Sequence, residues 1–129
     1  MLVEDVHFRT SYFKPSGLAH KSLHVNLSDI AAMGATPLFV LMDIAIPLSY
    51  EKYISEFLQA FTAICKNNSI VLIGGDTTKS SDKLSISITA IGTARVENIK
   101  YFNSAQPGGS LWREALSTYF HILESYNAV

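Results

Sequence analysis

An α+β fold follows from three features of this sequence. Residues 38–46 form an almost continuously apolar run closed off by Pro37 and Pro47, too short for most helices and suited to a buried strand. Leu84, Ile86, Ile88 and Ala90 alternate with Ser85, Ser87 and Thr89, the period of a strand with one apolar face. Between them Tyr53, Ile54, Phe57, Leu58, Phe61, Ile64 and Cys65 recur at helical spacing, the stripe of an amphipathic helix. With the remaining elements the order is strand, helix, strand, helix, strand, strand. That order predicts a four-stranded sheet, mixed or antiparallel, with both main helices on one face.

Leu2, Glu4, Val6 and Phe8 alternate with Val3, Asp5 and His7, which predicts a first strand over 2–8. Pro15-Ser16-Gly17 breaks the chain, and Ser16 is read as the N-cap of a helix ending at Gly34, whose missing Cβ suits the residue past a helix end. Leu23, Leu27, Ile30 and Ala31 make its apolar stripe, while Ser22, Asn26, Asp29 and Met33 share another face. Ser49 is read as the cap of the second helix, and Lys66-Asn67-Asn68 as its end, where a cation suits the dipole and Asn tolerates a left-handed cap. Residues 70–73 are a strand that runs straight into Gly74-Gly75.

The 129 residues suffice for one domain with a real core. The domain is expected over 1–108, with a turn-rich linker at 106–110. Leu111, Trp112, Ala115, Leu116, Tyr119, Phe120 and Leu123 then predict a tail helix in 109–129. Charged residues are only 16% and the net charge is −1, so no basic surface announces a nucleic acid. No apolar stretch approaches the roughly 20 residues of a membrane span. The single cysteine, Cys65, cannot pair within the chain, and the acidic N-terminus does not resemble a signal peptide, so a cytoplasmic location is expected.

Chemistry concentrates at Gly74-Gly75-Asp76-Thr77-Thr78, where a strand ends on two residues with no side chain to fend off a phosphate. Asp76 offers a carboxylate, Thr77, Thr78 and Ser80 offer hydroxyls, and Lys79 a cation, a group that suits a nucleotide phosphate with Mg²⁺. Read alone, the segment also fits a polar turn between strands. Asp29, on a largely apolar helix with Asn26 on the same face, is either a ligand or a solvated acid. His7 can donate to a phosphate or pack against Phe8. His20, His24 and His121 show no ligand-like spacing, and neither a zinc site nor a nucleophile pair is found. The P-loop pattern G-x-x-x-x-G-K-[ST] is absent, so phosphate binding here is of another type.

Met1-Leu2-Val3-Glu4-Asp5-Val6-His7-Phe8, then Lys21 to Ala35 with its Asn26-Leu27-Ser28-Asp29 core, then Gly74-Gly75-Asp76-Thr77-Thr78 lie in an order and spacing that resemble the N-terminal domain of the thiamine-monophosphate kinases. These belong to the superfamily of aminoimidazole ribonucleotide synthetase. The resemblance covers about residues 1–108 and implies ATP-dependent phosphorylation of thiamine monophosphate to thiamine diphosphate with several Mg²⁺ ions. It further implies Asp29 and Asp76 as metal ligands, Gly75 and Asp76 at ATP, and His7 at the thiamine phosphate. A homodimer in which two sheets close a barrel is also implied.

The sequence departs from that pattern in several places. The acidic Gly-Asp-Asp segment and the Asp expected just before Met1 are missing. Asp5 stands where the family usually has Gly, Lys79 where it often has Arg, and Phe102 near a position that often carries an ATP-contacting Arg. The expectation is a truncated domain with part of an ATP·Mg²⁺ site and little or no turnover alone. A related ATP-using synthetase and a non-catalytic dimerisation module are the alternatives.

Overall fold

The computed structural model describes residues 1–101, 103, 107 and 108. The expected tail helix and Phe102 lie outside the described residues, as does most of the expected linker. The elements are β1 (Leu2–Val3), α1 (Pro15–Ala32), β2 (Thr36–Pro47), α2 (Glu51–Asn67), β3 (Val71–Gly74), β4 (Thr77–Ser80) and β5 (Ser85–Thr93), with short 3-10 turns at Leu48–Tyr50 and Val96–Asn98. The α+β class and the mixed sheet agree with expectation. The sheet has five strands in four rows, β1-β5-β2 and an outer row in which β3 and then β4 pair with the same edge of β2. β5 runs antiparallel to both β1 and β2, whereas β3 and β4 run parallel to β2.

Alternation divides the sheet into two faces. Val40, Met42 and Ile44 of β2 and Ile86 and Ile88 of β5 are buried under the helices. α1 packs on α2, β5 and β2. From α2 come Ile54, Phe57, Phe61, Ile64 and Cys65, with Phe57 and Phe61 stacked at 5.9 Å and fully buried. Each such ring contributes about 2–3 kcal/mol through burial. The buried face of α1 is displaced from the expected stripe. It comprises Leu18, Ala19, Ser22 and Leu23, and the Ser22 hydroxyl is satisfied by donating to the Ala19 carbonyl at 3.0 Å. Ala31 is exposed, because the core is crossed by the N-terminal half of the helix.

Several ends differ from expectation for local reasons. α1 starts on Lys14 because Pro15, with its fixed φ and no N–H to satisfy, takes the first helical turn. Gly34 behaves as expected, at φ 72° just past the cap Met33, with the Ala35 N–H returning to the Ile30 carbonyl at 3.1 Å. α2 begins at Glu51, after a 3-10 turn, rather than on a Ser49 cap. At its end Ser69, at φ 56°, takes the left-handed position expected of an Asn, and the Ile70 N–H bonds the Cys65 carbonyl.

β1 stops at Val3 instead of reaching Phe8. Asp5 adopts φ 65°, which folds the chain into a turn where the Val6 and His7 N–H groups both return to the Val3 carbonyl. Asp tolerates the left-handed region better than most residues, and the Lys83 ammonium holds its carboxylate at 2.5 Å. Glu4, only 6% exposed, is the polar tie beneath this turn. Its Oε1 accepts from Thr10 at 2.8 Å and from the Tyr50 hydroxyl at 2.7 Å, and its Oε2 accepts the Leu84 N–H at 3.0 Å. One carboxylate thus joins the N-terminal turn, the approach to α2 and the start of β5. Burial opposes the charge, yet the hydrogen bonds from Leu84, Tyr50 and Thr10 outweigh it and hold the carboxyl below its ordinary range.

The outer row is broken by one close approach. Partners shift from Val40↔Leu72 to Leu41↔Gly74, so Ile73 is bulged, and pairing resumes at Ile44↔Thr77. Gly75, at φ 145°, lies so near β2 that a Cβ on it would stand 1.8 Å from the Met42 carbonyl oxygen, whereas one on Gly74 would meet nothing within 4 Å.

Gly75→Ala is therefore expected to lower stability by about 1–3 kcal/mol more than Gly74→Ala in matched denaturant titrations. For Glu4→Gln the expected cost near neutral pH is about 1–3 kcal/mol. A carboxyl with a depressed folded pKa contributes its stability above the unfolded value of about 4.3 and loses it as pH falls. The gap between the two proteins in urea unfolding should accordingly narrow on acidification below that value.

Candidate functional site

The gap between β3 and β4 is held by three consecutive residues of β2. The Met42 carbonyl packs against Gly75, the Asp43 carboxylate accepts the Asp76 N–H through Oδ1 at 2.9 Å, and the Ile44 N–H donates to the Asp76 carbonyl at 2.8 Å. Asp76 Oδ1 accepts the N–H of Thr77 at 2.8 Å. Its other carboxylate oxygen has no partner among the described residues. The backbone of Asp76 is thus fixed on both sides while its side chain, with Thr77, Thr78 and Lys79, stays exposed. A free carboxylate oxygen among hydroxyls is a donor set for a hard, oxygen-seeking cation.

Asp43 is a member of this site that sequence reading passed over, because it sat inside an apolar run. Its signal was its phase: alternation with buried Val40, Met42 and Ile44 places it on the face away from the helices. Across the sheet on that face it pairs with Ser87, and Ala45 with Ser85, giving a small polar track. Toward the other end of the same face Phe39 is flanked by Val71 and Ile91, all exposed. Outside β4, Thr77, Thr78 and Lys79 rim a groove of about 380 Å³ whose floor includes Ile46, Leu48 and Ile54.

His7 lies beyond β1, in the turn made by Asp5. Its Nδ1 accepts the Val3 N–H at 3.0 Å, which leaves Nε2 to carry the ring N–H. Lys21 of α1 reaches the His7 carbonyl oxygen at 2.5 Å and lies 5.1 Å from the centroid of the Phe13 ring. The turn that carries the His7 ring N–H thus also holds a cation at its backbone, a setting that suits an anion. The row of β1 is three strand spacings from that of β3 and β4, roughly 14 Å across the sheet.

Asp29 is exposed near the end of α1, and the side-chain amide of Asn26 donates to the Ser22 carbonyl at 2.8 Å. The neighbouring Ile30 packs at Gly92, opposite Pro37 at the start of β2. Asp76 instead sits beside Asp43, roughly 20 Å further along that strand. Asp76 and Asp43 are therefore brought together, and Asp29 and His7 stand apart from them and from each other. Among the described residues no three His, Cys, Asp or Glu side chains gather into a metal-sized cluster. His20 and His24, one helical turn apart, stack at 5.3 Å with the His24 Nδ1 2.8 Å from the His20 carbonyl oxygen. Cys65 is buried, and burial pushes its thiol up, away from reactivity. No helix among the described residues is long and apolar enough to cross a membrane.

Comparison with known proteins gives these features a lineage. The family of AIR synthase related proteins, N-terminal domain, matches residues 1–94. The thiamine-monophosphate kinase of Bacillus subtilis is 42% identical over 92 residues, covering 70% of this chain and 28% of that protein. That of Haemophilus influenzae is 45% identical over 91 residues, covering 70% and 27%. Among solved structures, AaThiL complexed with AMPPCP and TMP superposes with a TM-score of 0.66 at 30% identity, over 70% of this chain and 29% of that one. Hydrogenase maturation protein HypE in complex with ATP, at 22% identity and a TM-score of 0.65, shares the fold. The chain spans under a third of the length of these two curated relatives. With the family match running through both the Asn26–Asp29 and Gly74–Thr78 motifs, the chain belongs to the AIR synthase related proteins and carries their N-terminal domain.

Proposed function

We propose that this chain supplies the ATP- and Mg²⁺-binding part of a thiamine-monophosphate kinase. The observation that carries the reading is the Gly75–Asp76 crossing: a rigidly held backbone, bare of side chain at Gly75, presenting one free carboxylate oxygen at an exposed edge. The identities of 42% and 45% to thiamine-monophosphate kinases support the substrate class.

In this reading Gly75 lets the nucleotide phosphates approach the backbone, and Asp76 would hold a Mg²⁺ supplying charge neutralisation there. Asp29, roughly 20 Å from Asp76 along β2, would hold a Mg²⁺ ion of its own, with Asn26 beside it. His7 donates from Nε2 to the phosphate of thiamine monophosphate, in the field of Lys21. A terminal oxygen of that phosphate attacks the γ-phosphorus of ATP, the bond to the β-γ bridging oxygen breaks, and ADP leaves with the electron pair. No side chain forms a covalent intermediate. Charge neutralisation and alignment supply the rate, as is usual for phosphoryl transfer. Lys79 contributes charge without the two-pronged geometry of the Arg often found there.

We further infer a homodimer through the open sheet face, where Phe39, Val71 and Ile91 form an uncovered apolar row. A cytoplasmic setting supplies both ATP and Mg²⁺.

Calorimetric titration of the chain with AMPPCP should give Mg²⁺-dependent binding that is lost on chelation. Asp76→Asn should weaken it about tenfold or more, equivalent to about 1.4 kcal/mol, and Asp29→Asn should weaken it further when combined. Unchanged binding by the double variant would remove both residues from the site. A dimer in sedimentation equilibrium with no nucleotide affinity at all would replace the kinase reading by that of an assembly module.

A further inference from the structure

We propose that Asp43 is the positioning residue of the nucleotide site, acting through the backbone of Asp76; the proposal rests on the kinase reading. In an unbroken parallel ladder, continuing the Ile44↔Thr77 register would send the Asp76 N–H to the Met42 carbonyl oxygen. Gly75 stands too close to that oxygen, at the place where a Cβ would be 1.8 Å away, and the ladder bond is replaced. The replacement acceptor is the Asp43 carboxylate, at 2.9 Å from the Asp76 nitrogen.

A second restraint acts from the other side. The Ile44 N–H grips the Asp76 carbonyl at 2.8 Å, so consecutive β2 residues hold the two polar backbone groups of one residue. The peptide planes before and after Asp76 are thereby set, and with them the direction of its Cα–Cβ bond. Asp76 Oδ1 is then engaged by the Thr77 N–H at 2.8 Å, which leaves the second oxygen without a partner among the described residues. Removing the Asp43 acceptor frees the Gly75-Asp76 peptide, which has two adjacent glycines to pivot on. The carboxylate would then sample directions in which it no longer meets the cation. Asp43 itself is exposed on the open face, so its loss leaves the core untouched.

The role belongs to the acceptor oxygen and not to the charge. Asp43→Asn keeps a carbonyl oxygen within reach of the Asp76 N–H, whereas Asp43→Ala removes it. In Mg²⁺·AMPPCP titrations of the full chain, Asp43→Ala should weaken binding about tenfold and Asp43→Asn should stay within about threefold of the unsubstituted protein. Hydrogen exchange read by NMR adds a local measure: the Asp76 amide should lose protection in Asp43→Ala and keep it in Asp43→Asn, with the protection of β5 amides unchanged in both. Binding by Asp43→Ala equal to the unsubstituted chain would overturn the proposal while leaving the kinase reading intact. Asn and Ala equally impaired would also overturn it, since charge would then be the agent. No binding by the unsubstituted chain would overturn the kinase reading, and this proposal with it.

Discussion

The contact between Gly75 and the Met42 carbonyl oxygen is the constraint on which the site depends. A side chain there would collide with β2, so the outer row can press this closely only through glycine. Its cost is an interrupted ladder, and the interruption is where chemistry becomes available. Parallel pairing before the gap at Phe39↔Val71 and after it at Ile44↔Thr77 anchors both sides. Asp76 is consequently presented on an exposed edge yet is stiffer than an ordinary loop residue.

That edge is credible only because the rest of the sheet is rigid. β2 lies between two neighbouring rows and buries Val40, Met42 and Ile44 beneath α1 and α2. The same strand carries Asp43 at the intervening position, so one β2 segment faces the core and the site on alternate residues. Glu4 has a comparable role at the opposite edge of the sheet, where its three hydrogen bonds fasten the turn that carries His7. Tyr53, whose hydroxyl donates to the Phe13 carbonyl at 2.7 Å and is pushed up to about 12 chiefly by burial, ties α2 to the segment entering α1. The two ends of the proposed reaction thus rest on separate polar ties to one core.

Much of this was legible in the residues. Period-two alternation placed β5 and period-3.6 spacing placed α2, because both elements bury one face and the sequence records which. The Gly74-Gly75-Asp76 motif announced a close backbone approach, and the structure has one at Gly75 against β2. What stayed hidden depended on tertiary contacts. The early end of β1 follows from a left-handed Asp5 stabilised by Lys83, distant in sequence. The split of the outer row into β3 and β4 follows from the position of a carbonyl on β2. Asp43 read as part of an apolar strand until its partner, Asp76, was found across the gap. The separation of Asp29 from Asp76 was invisible for the same reason: helical periodicity fixes a face of α1 and says nothing about which end of β2 it overlies.

The central claim is that the break between β3 and β4 is a built cation and nucleotide site. Its most direct test is paramagnetic broadening by Mn²⁺, a substitute for Mg²⁺, in the NMR spectrum of the ¹⁵N-labelled chain with AMPPCP present. The account predicts that the amides of Gly75, Asp76 and Thr77 broaden first, and that excess Mg²⁺ restores them. Broadening spread evenly over exposed acids such as Glu56 and Asp82, with the Gly75–Thr77 amides no more affected than these, would contradict it.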